Sequence, residues 1–142
     1  MIANGVQDDQ NCLICGENNP RGLHAGFTTN KENGSATTTV TIPSVFQGWQ
    51  GITHGGMIAA LLDETCAQAC MALGEAVVTV SIELLYRAPV PTDSAVTVHG
   101  WVTEQRGRRI TAQGTLHVGE TLCAEATAIF HRLSKKQAEE QP

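Results

Sequence analysis

Positive charge is scarce in this sequence. Nine lysines and arginines stand against fourteen aspartates and glutamates, for a formal net charge of −5. A nucleic-acid binder needs a basic surface to neutralise phosphates, so the balance argues against that class. An anionic small ligand stays open, because a few local arginines hold one whatever the total charge. Long uninterrupted apolar runs are also lacking, so no bilayer-spanning segment and no membrane partner are expected, and the polar opening MIANGVQDDQ does not read as a signal peptide. Nor do the cysteines pair off. Cys12, Cys15, Cys66, Cys70 and Cys123 are an odd number, and three fall in expected helix or strand. Such usage fits a reducing cytoplasm better than a disulfide scaffold. The glycines lack phosphate-loop or dinucleotide spacing, and there is no internal repeat.

What is present suits one ordinary globular domain: 42% hydrophobic and 16% charged residues in a chain long enough to bury a core. The expected organisation is a polar, turn-rich loop over 1–20, a domain over 21–134 and a frayed polar tail over 135–142. GLHAGFTT and SATTTVTIP read as strands around the turn NKENG, with Pro43 ending the second. SVFQGWQGIT is a glycine-punctuated loop. From His54 to about Gly74 the spacing predicts a long helix, closed by that glycine. Four strands follow: VVTVSIELLY, AVTVHGWVTEQ, RRITAQGTLHV and TLCAEATAIFHRL, with APVPTDS as a turn. Two strands, one nearly all-apolar helix and four strands favour antiparallel hairpins wrapped around a central helix, an α+β architecture of about six strands.

Helical geometry sorts the side chains of HGGMIAALLDETCAQACMAL. Ile58, Leu61, Leu62, Thr65 and Leu73 share a core face, and Met57, Glu64, Gln68 and Met71 an adjoining edge on which Glu64 and Gln68 are i,i+4 neighbours. Asp63 lies on a third side among Ala59, Cys66, Ala67 and Cys70, the only charge on a strip of small residues. At the helix start, Gly55 and Gly56 leave backbone N–H groups unobstructed, and the helix dipole adds partial positive charge there. Such a place can polarise a carbonyl and hold the oxyanion that forms on attack. Asp63 is roughly 13 Å further along the axis, too far to act on the same carbon within one chain. An antiparallel second copy of the helix would bring its own Asp63 beside these glycines, which points to a homo-oligomer with shared sites.

The loop FQGWQGITHGG, Asp63 nine positions after His54, the strand VTVSIELLYRAPVP and the opening CLICGENNPRGLH together resemble the hotdog-fold acyl-CoA thioesterases of the PaaI-like, THEM-type group, over about residues 12 to 133. The resemblance implies an acyl-CoA substrate bound between two subunits of a dimer or dimer of dimers. Its carbonyl would sit on N–H groups near Gly55 or Gly56, with Asp63 as general base or nucleophile. It implies that His54 orients the loop or touches the thioester, against a plain capping role. Thr79 and Ser81 match positions where relatives carry a hydroxyl, and strand alternation puts both on one face. Gln47 falls near a polar position over the carbonyl. Arg87 is a candidate for CoA phosphates, as is the cluster Arg106, Arg108 and Arg109, which reads more simply as a solvated hairpin tip.

No cofactor is implied, and no metal is expected. Cys12 and Cys15 form a C-x-x-C, but a structural zinc usually takes four ligands, there is no second pair, and His24 is the only histidine nearby. Two other functions fit the same architecture. A non-catalytic acyl-CoA or lipid-binding protein would have no need of Asp63, and a hydratase would want its Asp and His closer together than Asp63 and His54 are.

Overall fold

Residues 7–133 are described by a computed structural model; the expected tail 135–142 lies outside the described residues. The helix α1 spans Gly55–Met71, and Gly74, at φ 112°, turns the chain out of it. The strands are β1 (Thr28–Asn30), β2 (Ser35–Thr41), β3 (Val77–Tyr86), β4 (Ala95–Arg106), β5 (Arg109–Val118) and β6 (Thr121–Arg132). All pairs are antiparallel, and they form a single six-stranded sheet in the order β1-β2-β4-β5-β6-β3. The sheet wraps the helix as expected. Its first strand is shorter than GLHAGFTT suggested, because Leu23 and Ala25 donate their amides to the carbonyls of Leu13 and Ile14 instead. That pairing ties the N-terminal turn to the body and buries Ile14 in the core.

One connection differs from the hairpin expectation. β3 does not pair with β4 but lies at the far edge beside β6. Residues 87–94, with Pro89 and Pro91, therefore cross the structure rather than turn back on it. The crossing is held by Val90, which is fully buried and accepts a hydrogen bond from the Thr53 amide at 2.8 Å.

The core forms where α1 meets the sheet. Ile58, Leu61, Leu62, Thr65, Cys66, Ala69 and Cys70 are buried, a wider face than the expected one, while Leu73 is only half-buried. Burying Leu61 and Leu62 favours folding by roughly 2 kcal/mol each. The Thr65 hydroxyl is satisfied internally by Leu61 O at 2.7 Å. Cys66 and Cys70 belong to the packing against Ile110, Ala112, Ala128 and Phe130, so part of the small-residue strip is helix-on-sheet contact. The sheet answers with its own small residues. Gly100 and Gly114 are register partners under the helix, and a Cβ at Gly100 would stand 3.0 Å from Thr65 O.

Candidate active site

The start of α1 is set by the loop before it. Phe46 O accepts the His54 amide at 2.9 Å, and His54, at φ −59° and ψ 133°, caps the helix. Its Nδ1 accepts the Gly56 N–H at 2.8 Å, which requires a neutral ring carrying its proton on Nε2. Met57 and Ile58 donate to His54 O at 3.0 and 3.3 Å. Two open amides were expected here, but the Gly56 donor is taken up by the imidazole. Among the described residues only the Gly55 amide of this first turn finds no acceptor. The Gly55 carbonyl is fixed from the other side by the Tyr86 hydroxyl at 2.9 Å.

A hollow of about 470 Å³ opens over this turn, lined by Gly48, Trp49, Ile52, Thr53, His54 and Gly55. Trp49 stands at 84% exposure, and the buried Thr53 hydroxyl has no partner among the described residues. Gln47 is exposed and braces the loop, its Oε1 accepting the Gly51 amide at 3.1 Å.

Asp63 is half-buried, and its Oδ1 accepts the Thr79 hydroxyl at 2.8 Å. Thr79 and Ser81 do not share a face as simple alternation implied. The register of β3 against β6 slips between them, with Thr79 opposite Phe130 and Ser81 opposite Ile129. The extra residue, Val80, is a bulge that reverses the side-chain parity of the strand. Thr79 therefore looks inward with Phe130, towards α1, and Ser81 looks outward. For the same reason Val78 and Val80 do not join Ile82 and Leu84 on the core face.

The basic residues are dispersed. Arg87 pairs with Glu125 at 3.3 Å, and Arg106 with Glu104 at 3.4 Å, both near the surface. Arg108 and Arg109 are exposed beside the β4–β5 turn. The sequence reading passed over Arg132, which pairs with Glu75 at 3.3 Å and donates to Gly107 O and Gln105 Oε1 beneath that turn. It also passed over Tyr86, which no motif marks, and the meeting of Glu64 with the C-x-x-C. There the Cys15 thiol lies 3.3 Å from Glu64 Oε1, and burial first and that carboxylate second push it well above the ordinary thiol range.

An antiparallel sheet around one long central helix, with a glycine-opened helix start and a carboxylate two turns on, defines a hotdog-fold protein of thioesterase type. The comparisons agree. The chain belongs to the thioesterase superfamily, whose family model matches residues 50–125, just over half of it. The acyl-coenzyme A thioesterase THEM4 of Mus musculus is 32% identical over 93 residues, covering 64% of this chain and 40% of its own. A crystallised thioesterase superfamily protein superposes with a TM-score of 0.79 at 27% identity, covering 86% of this chain and 60% of that one. The PaaI protein of the E. coli phenylacetic acid degradation operon superposes with a TM-score of 0.73 at 20% identity, over 79% of this chain and 81% of its own. The resemblance to the PaaI-like, THEM-type group thus holds. This chain spans about 40% of the length of the curated relatives it matches.

Proposed function

We propose that this protein hydrolyses an acyl-CoA thioester to a free acid and CoA, with sites shared between two copies of the chain. The substrate class is that named for the THEM4 relatives. The observation that carries the reading is the placement of two chemically distinct groups along one edge strand. Thr79, near the start of β3, holds Asp63, while Tyr86, at its end, holds Gly55. β3 is an edge with an unpaired side, and Val78, Val80, Leu85 and Tyr86 expose apolar surface along it. Two copies paired antiparallel along β3 would set the Thr79 end of one against the Tyr86 end of the other. Each Asp63 then approaches its neighbour's Gly55.

In this arrangement the thioester carbonyl enters the hollow and its oxygen accepts the Gly55 N–H at the positive end of α1. Asp63 of the neighbouring copy takes a proton from water as the water oxygen bonds to the carbonyl carbon. Collapse of the tetrahedral intermediate breaks the C–S bond, and the proton leaves with the CoA sulfur. Attack by the Asp63 carboxylate itself, through an anhydride, uses the same placement. Thr79 orients the carboxylate, leaving its second oxygen for the reaction. His54 acts by shaping the helix start, Gln47 by bracing the loop, and Arg87, next after Tyr86 in the chain, is the basic candidate for CoA phosphates. All five cysteines are free, which fits the cytoplasm.

The test mixes two inactive variants. Asp63→Asn removes the base and should cost about 10²–10⁴ in kcat. Gly55→Pro deletes the amide at the first helical position, where proline suits the backbone and the ψ of 133° at His54 is already compatible. Co-refolded, the two should regain about a quarter of the wild-type rate, since half the dimers are mixed and each has one intact site. Release of free CoA from an acyl-CoA panel is the readout. Full activity of Asp63→Asn removes this mechanism, absent recovery removes the sharing, and binding without turnover across the panel makes the protein a carrier.

A further inference from the structure

The C-x-x-C at the N-terminus is absorbed by nothing above, and the fold gives it a companion that lies 49 residues away in sequence. Cys12 and Cys15 lie on a tight turn closed by Gly16 N–H to Cys12 O at 3.0 Å. The amides of Ile14 and Cys15 converge on the Cys12 sulfur at 3.4 and 3.5 Å, as outer partners do around a metal-bound ligand. Facing them, α1 presents Glu64. One donor atom from each of Cys12, Cys15 and Glu64 lies within 4.8 Å of the others, and all three residues are half-buried. Gln68, one turn on, donates to Glu64 Oε1 at 3.0 Å and stands 3.9 Å from Cys15 Sγ. Among the described residues, no lysine, arginine or histidine forms an ion pair with Glu64. A carboxylate drawn partly out of water ordinarily has a cation beside it. Here what stands beside it is a pair of thiols.

We propose that Cys12, Cys15 and Glu64 bind a zinc ion that ties the N-terminal turn to the middle of α1. The fourth position falls to water, and the Gln68 amide N–H, already on Glu64 Oε1, holds that carboxylate as an outer partner. Two sulfurs select zinc over magnesium or calcium, and tetrahedral zinc accepts mixed sulfur and carboxylate ligands. Loading forms two Zn–S bonds and one Zn–O bond and releases the two thiol protons to solvent; no redox change occurs. The ion is structural, since Glu64 points to the turn while its neighbour Asp63 points to β3.

The full chain, reduced and stripped with chelator, is loaded with zinc, exchanged into metal-free buffer and assayed for metal content. One equivalent should remain, and cobalt in its place should show thiolate-to-cobalt charge-transfer absorption. Cys12→Ser and Cys15→Ser should each abolish retention, and Glu64→Gln should weaken affinity by about tenfold or more. Zinc should raise the unfolding temperature of the wild type and not that of Cys15→Ser. The cobalt spectrum is read on the wild type, so it stands even where a variant misfolds. No retained zinc, cobalt without thiolate bands, or a Cys12–Cys15 disulfide forming in the presence of excess zinc overturns the site. Unchanged affinity in Glu64→Gln overturns the link to the helix.

Discussion

At the scale of single residues, the informative feature is how few groups around α1 are left free to react. The His54 ring occupies the Gly56 amide, Gln47 is spent on the loop, and Arg87 is paired, while Gly55 N–H and the outer oxygen of Asp63 are not. Thr79 is the test of this economy. A hydrogen bond to a charged group is worth roughly 1.5 kcal/mol or more, so Thr79→Val should lower kcat about tenfold. Thr79→Ser should restore it, and a pair of steady-state measurements decides. The buried thiols make a second prediction. Burial, with smaller help from Cys70 and Asp63, pushes Cys66 from 9.0 up to about 12, and burial does the same to Cys70 against the opposing pull of Arg132. The folded state therefore keeps protons that the unfolded chain gives up above pH 9. Stability from these two groups is full below that value and declines as pH rises from 9 towards 12. Urea titrations at several alkaline pH values should show the decline, and Cys66→Ala/Cys70→Ala should make it shallower, leaving the part due to Cys15.

At the scale of elements, the helix and sheet fit by mutual smallness. Thr65 on α1 meets Gly100 on β4 and Cys66 meets Gly114 on β5, and the helix backbone comes close enough that a methyl group at Gly100 would press on it at 3.0 Å. Because the obstacle is Thr65 main chain, it cannot swing aside as a side chain end would. Gly100→Ala should destabilise by about 1–3 kcal/mol, seen as a lower urea midpoint with an unchanged slope. The periodicity of α1 was readable at this scale, since apolar spacing is a local property. The sheet glycines were not, because a glycine within a strand pattern reads equally as a bulge, a weakness or a close approach until the facing element is known.

At the scale of the whole molecule, the proposed shared site turns on β3. Placed at the edge by the crossing of residues 87–94, it carries Thr79 towards one end, Tyr86 at the other and the exposed Val80 and Leu85 between. A lysine at Val80, half exposed at 51%, should leave the fold intact but set a charge against the exposed Leu85 of the facing copy across a self-paired edge. Val80→Lys should thus sediment as a smaller species than wild type and lose thioester hydrolysis together with assembly. A monomer that hydrolyses normally would reject shared sites.

The sequence by itself determined the local facts: the helix and its limits to within a few residues, the glycine pair and carboxylate at their offset, and five of the six strands at roughly the right extent. These follow from periodicity and capping, which act over a few neighbouring residues. Only the tertiary structure decided that one bulge at Val80 turns Thr79 to Asp63 and Ser81 away. It alone sent β3 to the edge, let His54 claim the Gly56 amide, and brought Glu64 to Cys12 and Cys15. A single-residue slip reverses every side chain beyond it, and a contact across 49 residues leaves no trace in either neighbourhood, so neither has a local signature to read.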